Sequence, residues 1–388
     1  MPSKRIDHYL NTLLDFLSKG SSDSRPRKLT VCLSVAILIV TVYFGTKPFN
    51  FISRNDLEFA SKTNGLSFNQ SSIEGESSQR AIAYTLDSLS LAEKQPISIL
   101  LELTPTRKPD GLGTLIQLHD AGTQPPLIVA QWQSHLTVRS RRSASSSNRP
   151  YREIGLRDCL ENGETVSLLI SSSETDAFIY VNGVLAERKP GFTLIDPDAS
   201  TTAQIVLGSS ASGEQYWIGE MNRLAIFDQQ VNPQEIRSGS IYPLIEYSFQ
   251  NSKDTTIPNL RSEAFALQTP FRFKPIQLKR FAPLSDWDPN RSGQYQDTIL
   301  NLFGFIPIGL VFFLFIGREL NNRTLQFIGV VLACFILSFA IEYAQIYLPS
   351  RSPSHLDLLG NSLGGCIAAI IGIRLKIEGD KRSQSIGN

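Results

Sequence analysis

Hydropathy along the chain alternates between long apolar runs and short mixed ones. Long apolar runs occupy residues 29–46, 298–316, 327–348 and 358–375. Each is close to the ~20 residues that a helix needs to cross the hydrocarbon core of a bilayer. Between the first and second runs, apolar residues recur in short alternating stretches, which is typical of β-strands. The pattern predicts a mixed membrane protein, with a four-helix transmembrane bundle and an all-β domain.

Several local signals support the all-β domain. The short stretches cover residues 97–103, 114–118, 165–170, 204–207 and 216–227. Asn182-Gly183 lies between two of them and favours the positive φ angles of a two-residue hairpin turn. Residues 232–236 predict a short helical turn. The insert of roughly 250 residues is long enough for one self-supporting core.

These patterns divide the chain into nine segments. In order, they are an N-terminal segment 1–28, transmembrane helix 29–46, linker 47–80, β-sandwich 81–250, linker 251–296, transmembrane helices 298–316, 327–348 and 358–375, and a tail 376–388.

Positive residues predict the orientation, because they are retained on the cytoplasmic side of a membrane. They flank the first helix on its N-terminal side, separate the second and third helices, and follow the fourth. The sequence therefore predicts a plasma-membrane protein with both termini in the cytoplasm and the β-domain outside. The residues concerned are Lys4, Arg5, Lys19, Arg25, Arg27, Lys28, Arg318, Arg323, Arg374, Lys376, Lys381 and Arg382.

Composition adds little about partners. The formal net charge is +1 at pH 7, and no long basic tract indicates nucleic acid. Carboxylates that could hold Ca²⁺ in the β-domain lack the spacing of a dedicated calcium loop, and ordinary turn positions explain them as well. They are Asp120, Asp176, Asp196, Asp198 and Asp228.

Polar residues recur at one end of the last three helices. Two copies of Asp-x-x-x-Asn-x-x-Gly begin at Asp297 and Asp357, and the third helix carries Glu342 near its far end. The predicted topology brings these ends to one level, as a ligand-binding cluster at the outer membrane face. The candidate residues are Asp297, Asn301, Glu342, Gln345, Arg351, Asp357 and Asn361.

Two other interpretations of this cluster remain open. The aspartates can cap helix N-termini, where a carboxylate is favourable. The asparagines can hydrogen-bond between helices that approach closely at Gly304, Gly360, Gly364 and Gly365.

The β-domain resembles concanavalin A-like jelly rolls of the laminin-G type. The resemblance covers roughly residues 80–250 and rests on the Ile-Tyr-Val-Asn-Gly hairpin ending at Gly183, followed by Trp217-Ile-Gly219 and a late strand. Members of that superfamily bind sugars or calcium or act as adhesion modules, so the resemblance implies a glycan- or protein-binding module.

The membrane part resembles the VanZ family of bacterial membrane proteins. The resemblance covers about 29–55 and 280–376 and rests on the signature residues above, on Phe305-Ile-Pro-Ile-Gly309, and on the Pro-Phe-x-Phe turn at residues 48–51. The founding member is linked to reduced teicoplanin susceptibility, so the resemblance implies an envelope role that could include glycopeptide susceptibility.

Three functional hypotheses follow. In the first, a non-enzymatic envelope protein binds a membrane lipid or lipid-linked component at the cluster, while the jelly roll binds a glycan or an envelope protein. In the second, a membrane-embedded enzyme acts on lipid headgroups, with Glu342 as general base and Arg351 holding phosphate. In the third, the chain is a structural scaffold. No nucleophile–base pair in the sequence supports catalysis, so the first hypothesis is favoured.

Overall fold

A computed structural model describes residues 24–47, 52–60, 65–68, 81–92, 95–109, 111–120, 124–142, 150–195, 201–249, 255–282, 284, 292–317, 320–348 and 351–386. The chain forms two compact units. The helical unit comprises Met1–Phe51 and Leu278–Asn388, and the β-unit comprises Ile52–Gln277. The Pro-Phe-x-Phe turn, Asp196 and Asp198 lie outside the described residues.

The β-unit is built from short antiparallel strands. They are β1 Ser53–Arg54, β2 Leu57–Ala60, β3 Gly65–Phe68, β4 Ala83–Thr85, β5 Leu89–Leu91, β6 Ile97–Pro105, β7 Leu112–His119, β8 Leu127–Trp132, β9 His135–Arg141, β10 Tyr151–Leu156, β11 Val166–Ser172, β12 Asp176–Val181, β13 Val184–Pro190, β14 Thr201–Leu207, β15 Gly219–Phe227, β16 Ile245–Ser248, β17 Thr256–Ile257, β18 Leu267–Gln268 and β19 Arg272–Phe273.

Two large sheets form a sandwich. One has the order β10-β9-β8-β7-β14-β4-β18-β17, with β5 also paired to β14. The other has the order β13-β12-β11-β6-β15-β3-β2, with β16 also paired to β15. Alternate side chains of the central strands, such as Leu101, Ile170, Ile205 and Leu224, are buried in one hydrophobic core. The predicted all-β sandwich is therefore confirmed.

Both local predictions for this unit are also confirmed. Asn182 and Gly183 have φ angles of 51° and 84°, and Val181 pairs with Val184 across the turn. The predicted helical turn is a short helix at Pro233–Ser238. Asn232 and Glu235 form a capping box there, in which each side chain accepts a backbone N–H at the helix start.

The β-unit extends beyond its predicted limits. Strands β1 to β3 lie within the predicted linker 47–80, and β17 to β19 lie within the predicted linker 251–296. These strands are two to four residues long, too short for an alternating pattern to be recognised. The run predicted at 216–227 becomes a strand only from Gly219, and Trp217 before it is buried in the core.

The buried indole of Trp217 makes one specific polar contact. Its Nε1 donates to Oε1 of Gln131 at 2.7 Å, and both side chains are almost fully buried. Removing the acceptor leaves a buried donor unsatisfied, which costs about 1–3 kcal/mol. We expect Gln131→Leu to lower the thermal midpoint of the β-unit. Tryptophan fluorescence of the full chain during heating measures this midpoint. The exposed control Gln229→Leu should leave it unchanged.

Helices make up the other unit. They are α1 Ser24–Thr46, α3 Ser292–Phe312, α4 Arg323–Gln345 and α5 His355–Ile386, where α2 denotes the short helix Pro233–Ser238 of the β-unit. Helix α3 continues into one π-helical turn, Phe313–Gly317. Helix α1 packs against α3 and α4. Helix α5 extends through most of the segment predicted as a tail, because no proline interrupts it after residue 375.

Among the described residues, three stretches are long and apolar enough to cross a membrane. They are Gln296–Ile316, Arg323–Gln345 and His355–Glu378. The apolar part of α1 within the described residues, Ser34–Thr46, is shorter. Three of the four predicted spans thus coincide with helices that are long and apolar enough to cross a membrane, and the four-span bundle stays a prediction.

Small residues allow the three long helices to pack closely. A Cβ atom added to Gly309 of α3 would lie 2.5 Å from Cβ of Ala368, and one added to Gly365 of α5 would lie 2.7 Å from Cβ of Cys334. Such contacts need glycine, as is common between membrane helices. Large apolar side chains face outward instead, and on α4 the rings of Phe335, Phe339 and Tyr343 stack along one exposed face.

Candidate functional site

One cavity in the helical unit brings all seven predicted residues together. It has a volume of about 660 Å³ and lies among α1, α3, α4, α5 and the loop before α5. The described polar lining comprises Thr41, Asp297, Asn301, Glu342, Gln345, Arg351, Ser352, Asp357 and Asn361. The spacing in sequence explains the grouping, because residues three or four apart share one face of a helix.

The helix ends place these side chains at one end of the bundle. Glu342 and Gln345 occupy the last turn of α4, and Asp357 occupies the first turn of α5. Asp297 does not cap α3, since that helix already begins at Ser292. Asp357 does not cap α5 either, because α5 begins at His355 and the Ser354 hydroxyl accepts the Leu356 backbone N–H there. Asp357 lies in the first turn of α5, where a helix dipole favours a carboxylate.

Arg351 and Gln345 hold the end of α1. Arg351 donates from Nε to the Lys47 carbonyl at 2.9 Å and from Nη2 to the Phe44 carbonyl at 3.1 Å. Gln345 donates from Nε2 to the Gly45 carbonyl at 2.8 Å. The last carbonyls of a helix have no partner within it, and a cation there is favourable. These two side chains thus position α1 at the cavity.

Glu342 is fixed by the loop that precedes α5. Its Oε2 accepts from the Ser354 backbone N–H at 2.8 Å, and the Glu342 residue is only 2% exposed. Lys279 contacts the same loop, because its Nζ donates a hydrogen bond to the Arg351 carbonyl at 2.7 Å. A buried carboxylate is stable only with such partners.

Asn361 is the most deeply placed amide of the site. Its Nδ2 donates to Oγ of Ser338 at 2.9 Å, whereas its buried Oδ1 has no hydrogen-bond partner among the described residues. The sequence interpretation missed Ser338, although it lies four residues before Glu342 and therefore on the same face of α4. The side-chain nitrogen of Asn361 thus makes the expected hydrogen bond between helices, and its side-chain oxygen stays without a partner among the described residues.

The remaining carboxylates lie close to one another. The Asn301 side chain is within hydrogen-bonding reach of the Asp357 carboxylate, and Asp297 is near enough to interact with Asp357 electrostatically. Asp297 itself is exposed. The asparagine of the first signature copy thus lies within hydrogen-bonding reach of the aspartate of the second copy.

Apolar side chains form the rest of the cavity wall. They come from α1, α3 and α4 and comprise Val40, Phe44, Leu300, Phe305, Ile308 and Ile341. Gly304 of α3 also lines the cavity, and a Cβ atom added there would meet no atom within 4 Å. The cavity therefore offers both a polar and an apolar surface.

Arginine pairs account for two of the calcium-ligand candidates in the β-unit. Asp120 Oδ2 accepts from Arg141 Nη1 at 2.6 Å, and Asp176 Oδ2 accepts from Arg188 Nη2 at 2.7 Å. The hydrogen bond from Arg188 lowers the pKa of Asp176 below its usual value. Asp228 is exposed. The described residues contain no group of three His, Cys, Asp or Glu placed to hold a metal ion.

A polar depression of about 480 Å³ lies on the β-unit. Glu102 and Thr104 of β6 contribute to it and alternate with the buried Leu101 and Leu103, so they face away from the core. The Thr104 and Thr165 hydroxyls are 2.8 Å apart. The remaining lining residues are Val166, Ser167, Asn182 and Asn222. The sequence interpretation did not single out this surface, because its residues come from three separate strands and a turn.

The structure combines a β-sandwich unit with a helical unit that contains three long apolar helices. Comparison with protein families identifies two regions. Residues 79–237 match the concanavalin A-like lectin/glucanases superfamily. Residues 240–376 match the VanZ/LLP1 family. The chain thus combines a concanavalin A-like region with a VanZ-like region, as the sequence motifs indicated, and three apolar helices agree with a membrane protein.

Comparison with curated proteins gives no match. Similar solved structures include a candidate carbohydrate binding protein from Bacteroides ovatus, with 11% identity and a TM-score of 0.36 over 49% of this chain and 56% of that one. A SAP-like pentraxin from Limulus polyphemus has 13% identity and a TM-score of 0.35 over 45% and 80%. The CBM40 of a Ruminococcus gnavus sialidase, bound to sialyllactose, has 10% identity and a TM-score of 0.31 over 40% and 97%.

The chain spans about half the length of the Bacteroides ovatus structure.

Proposed function

We propose that this protein is a non-enzymatic membrane protein of the bacterial envelope that binds an amphiphilic or lipid-linked molecule in the helical unit. The observation that carries the proposal is the 660 Å³ cavity, which all seven predicted residues line. A polar wall next to an apolar wall fits a molecule with a polar head and a hydrocarbon portion. Ligand cavities of this kind typically measure ~300–1,000 Å³.

Binding is favoured over catalysis by what the polar groups already do. In the enzyme hypothesis Arg351 holds phosphate, yet two of its nitrogens donate to the carbonyls of Phe44 and Lys47 at the C-terminal end of α1. Glu342, the proposed base, accepts a backbone hydrogen bond from Ser354. A pure scaffold is disfavoured as well, since packing alone leaves neither an open cavity of this size nor the unpartnered oxygen of Asn361.

The β-unit is proposed to bind a glycan or an envelope protein. Its polar depression offers hydroxyl, amide and carboxylate groups from Thr104, Asn182, Asn222 and Glu102, which suit hydroxyl-rich ligands. A link to glycopeptide susceptibility belongs to the same proposal and rests on the VanZ-like region alone. Calcium in the β-unit also stays a prediction.

The proposed topology has four spans, with both termini in the cytoplasm and the β-unit outside. The distribution of positive residues supports it. The cavity lies at the C-terminal end of α1 and α4 and at the N-terminal end of α3 and α5, which is the outer end in this topology.

Thiol labelling of intact cells tests both the topology and the cavity. Single cysteines are placed at Leu300 in the cavity, at Ala186 in the β-unit and at Gln384 near the C-terminus, with the buried Cys334 retained and the other native cysteines replaced by serine. A membrane-impermeant maleimide should label Ala186→Cys and Leu300→Cys but not Gln384→Cys. In detergent, Leu300→Cys should label several-fold more slowly when membrane lipid is added back.

Two outcomes would contradict the proposal. Labelling of Gln384→Cys in intact cells would place the C-terminus outside the cell and contradict the proposed topology. Labelling of Leu300→Cys at the same rate with and without lipid would remove the support for an amphiphile in the cavity.

A further inference from the structure

We propose that the polar end of the cavity recognises a primary ammonium group on its amphiphilic ligand. This inference rests on the proposed function, because it names the headgroup of the molecule that the cavity binds. Three carboxylic acids line the cavity, namely Asp297, Glu342 and Asp357. Arg351 is the basic side chain among the described lining residues, so the lining is acidic overall.

Arg351 cannot balance this charge alone. One guanidinium offsets at most one carboxylate, and two of its nitrogens are directed to the Phe44 and Lys47 carbonyls. Carboxylates between membrane helices are costly unless a positive partner is near. A cationic ligand would supply that partner, whereas an anionic headgroup would add like charge to the same space.

Carboxylate oxygens are prominent in the polar lining of the cavity. Ionised carboxylates accept hydrogen bonds and donate none. The Oδ1 of Asn361 is a second, independent sign, because Asn361 lines the cavity at 4% exposure and this oxygen has no partner among the described residues. Buried polar atoms are normally paired, so an unpaired acceptor indicates a donor that arrives with a ligand.

An inorganic cation fits the site less well. The described residues contain no group of three carboxyl, imidazole or thiol side chains placed to hold a metal ion. A cavity of about 660 Å³ is also far larger than one ion needs. A polyatomic cation can reach carboxylates that are spread over α3, α4 and α5.

The same acceptors discriminate among ammonium groups. A primary ammonium presents three N–H donors, whereas a quaternary ammonium presents none. Charge-assisted hydrogen bonds are worth more than contact alone, and the loss of one corresponds to about a tenfold loss in affinity. We therefore expect an ethanolamine or other amine headgroup to bind at least tenfold better than a choline headgroup.

Native mass spectrometry of the full chain tests this inference. The protein is delipidated in a neutral maltoside detergent and titrated with phosphatidylethanolamine, phosphatidylcholine or phosphatidylglycerol of identical acyl chains. Phosphatidylethanolamine should bind at least tenfold more tightly than the other two. Dodecylamine should displace it, which shows that ammonium suffices without phosphate, and glucosamine should displace it only if the source is a sugar amine.

Neutral variants locate the effect. The Glu342→Gln, Asp357→Asn double variant should lose the preference, and the exposed Asp297→Asn should weaken it without a risk to folding. Glu378→Gln, exposed and far along α5, should behave as wild type. Equal binding of all three lipids, or an unchanged preference in the double variant, would overturn the inference.

The two proposals fail in distinguishable ways. If all three lipids bind equally but Gly304→Leu prevents their binding, the cavity binds amphiphiles and the ammonium preference is wrong. If Gly304→Leu binds every lipid as wild type does, the cavity itself is not the binding site.

Discussion

Gly364→Leu is expected to disrupt the helical unit. A Cβ atom at this position of α5 would collide with the backbone carbonyl oxygen of Leu302 in α3 and would lie 3.0 Å from Cβ of Phe305. The collision involves backbone, so no change of rotamer relieves it, and α3 and α5 must separate. These two helices share the most extensive contact in the unit.

The expected cost is ~3 kcal/mol or more, at the upper end of what overpacking causes. At ~2–4 °C per kcal/mol for a unit of this size, the thermal midpoint falls by roughly 6–12 °C. Size-exclusion chromatography of heated, detergent-solubilised protein measures this midpoint. A Gly364→Leu variant as stable as wild type would contradict the packing described for α3 and α5.

Gly304→Leu is expected to abolish binding of an amphiphile while preserving the fold. Gly304 occupies the same place in the first signature copy as Gly364 does in the second, yet a Cβ atom there meets nothing within 4 Å. A leucine side chain would project into the cavity and occupy the space next to Asn301. Replacing glycine within a helix also favours the helix by up to ~1 kcal/mol.

The two glycines therefore form a matched pair. The same substitution should destroy stability at Gly364 and ligand binding at Gly304. If Gly304→Leu lowered the thermal midpoint as much as Gly364→Leu does, its loss of binding would carry no information about the cavity, and the open space at Gly304 would be contradicted.

Sequence repetition predicted where the site lies but not what each residue does. The two Asp-x-x-x-Asn-x-x-Gly copies look equivalent, and both fall on the cavity. In the structure, Asn301 lies within hydrogen-bonding reach of Asp357, whereas Asn361 donates a hydrogen bond to Ser338. Which neighbour a residue meets depends on how the helices are placed, and a pattern of residue types along one chain does not contain that placement.

Local chemistry explains which parts of the fold were predictable. The Asn182-Gly183 turn and the Asn232 capping box are fixed by residues within a few positions of each other. The hydrogen bonds from Arg351 to the end of α1 join residues about three hundred positions apart, and no local sequence pattern predicts them. The short strand β3 was missed for a related reason, because its pairing with the distant β15 brings Leu66 and Phe68 into the core.

The number of amphiphile molecules retained by the purified protein tests the central claim most directly. Wild type, Gly304→Leu and a control with the exposed Ile370→Leu substitution are purified identically in a mild neutral detergent and weighed by native mass spectrometry. The cavity account predicts one retained amphiphile in wild type and in Ile370→Leu, and none in Gly304→Leu. Equal retention by all three proteins would contradict it.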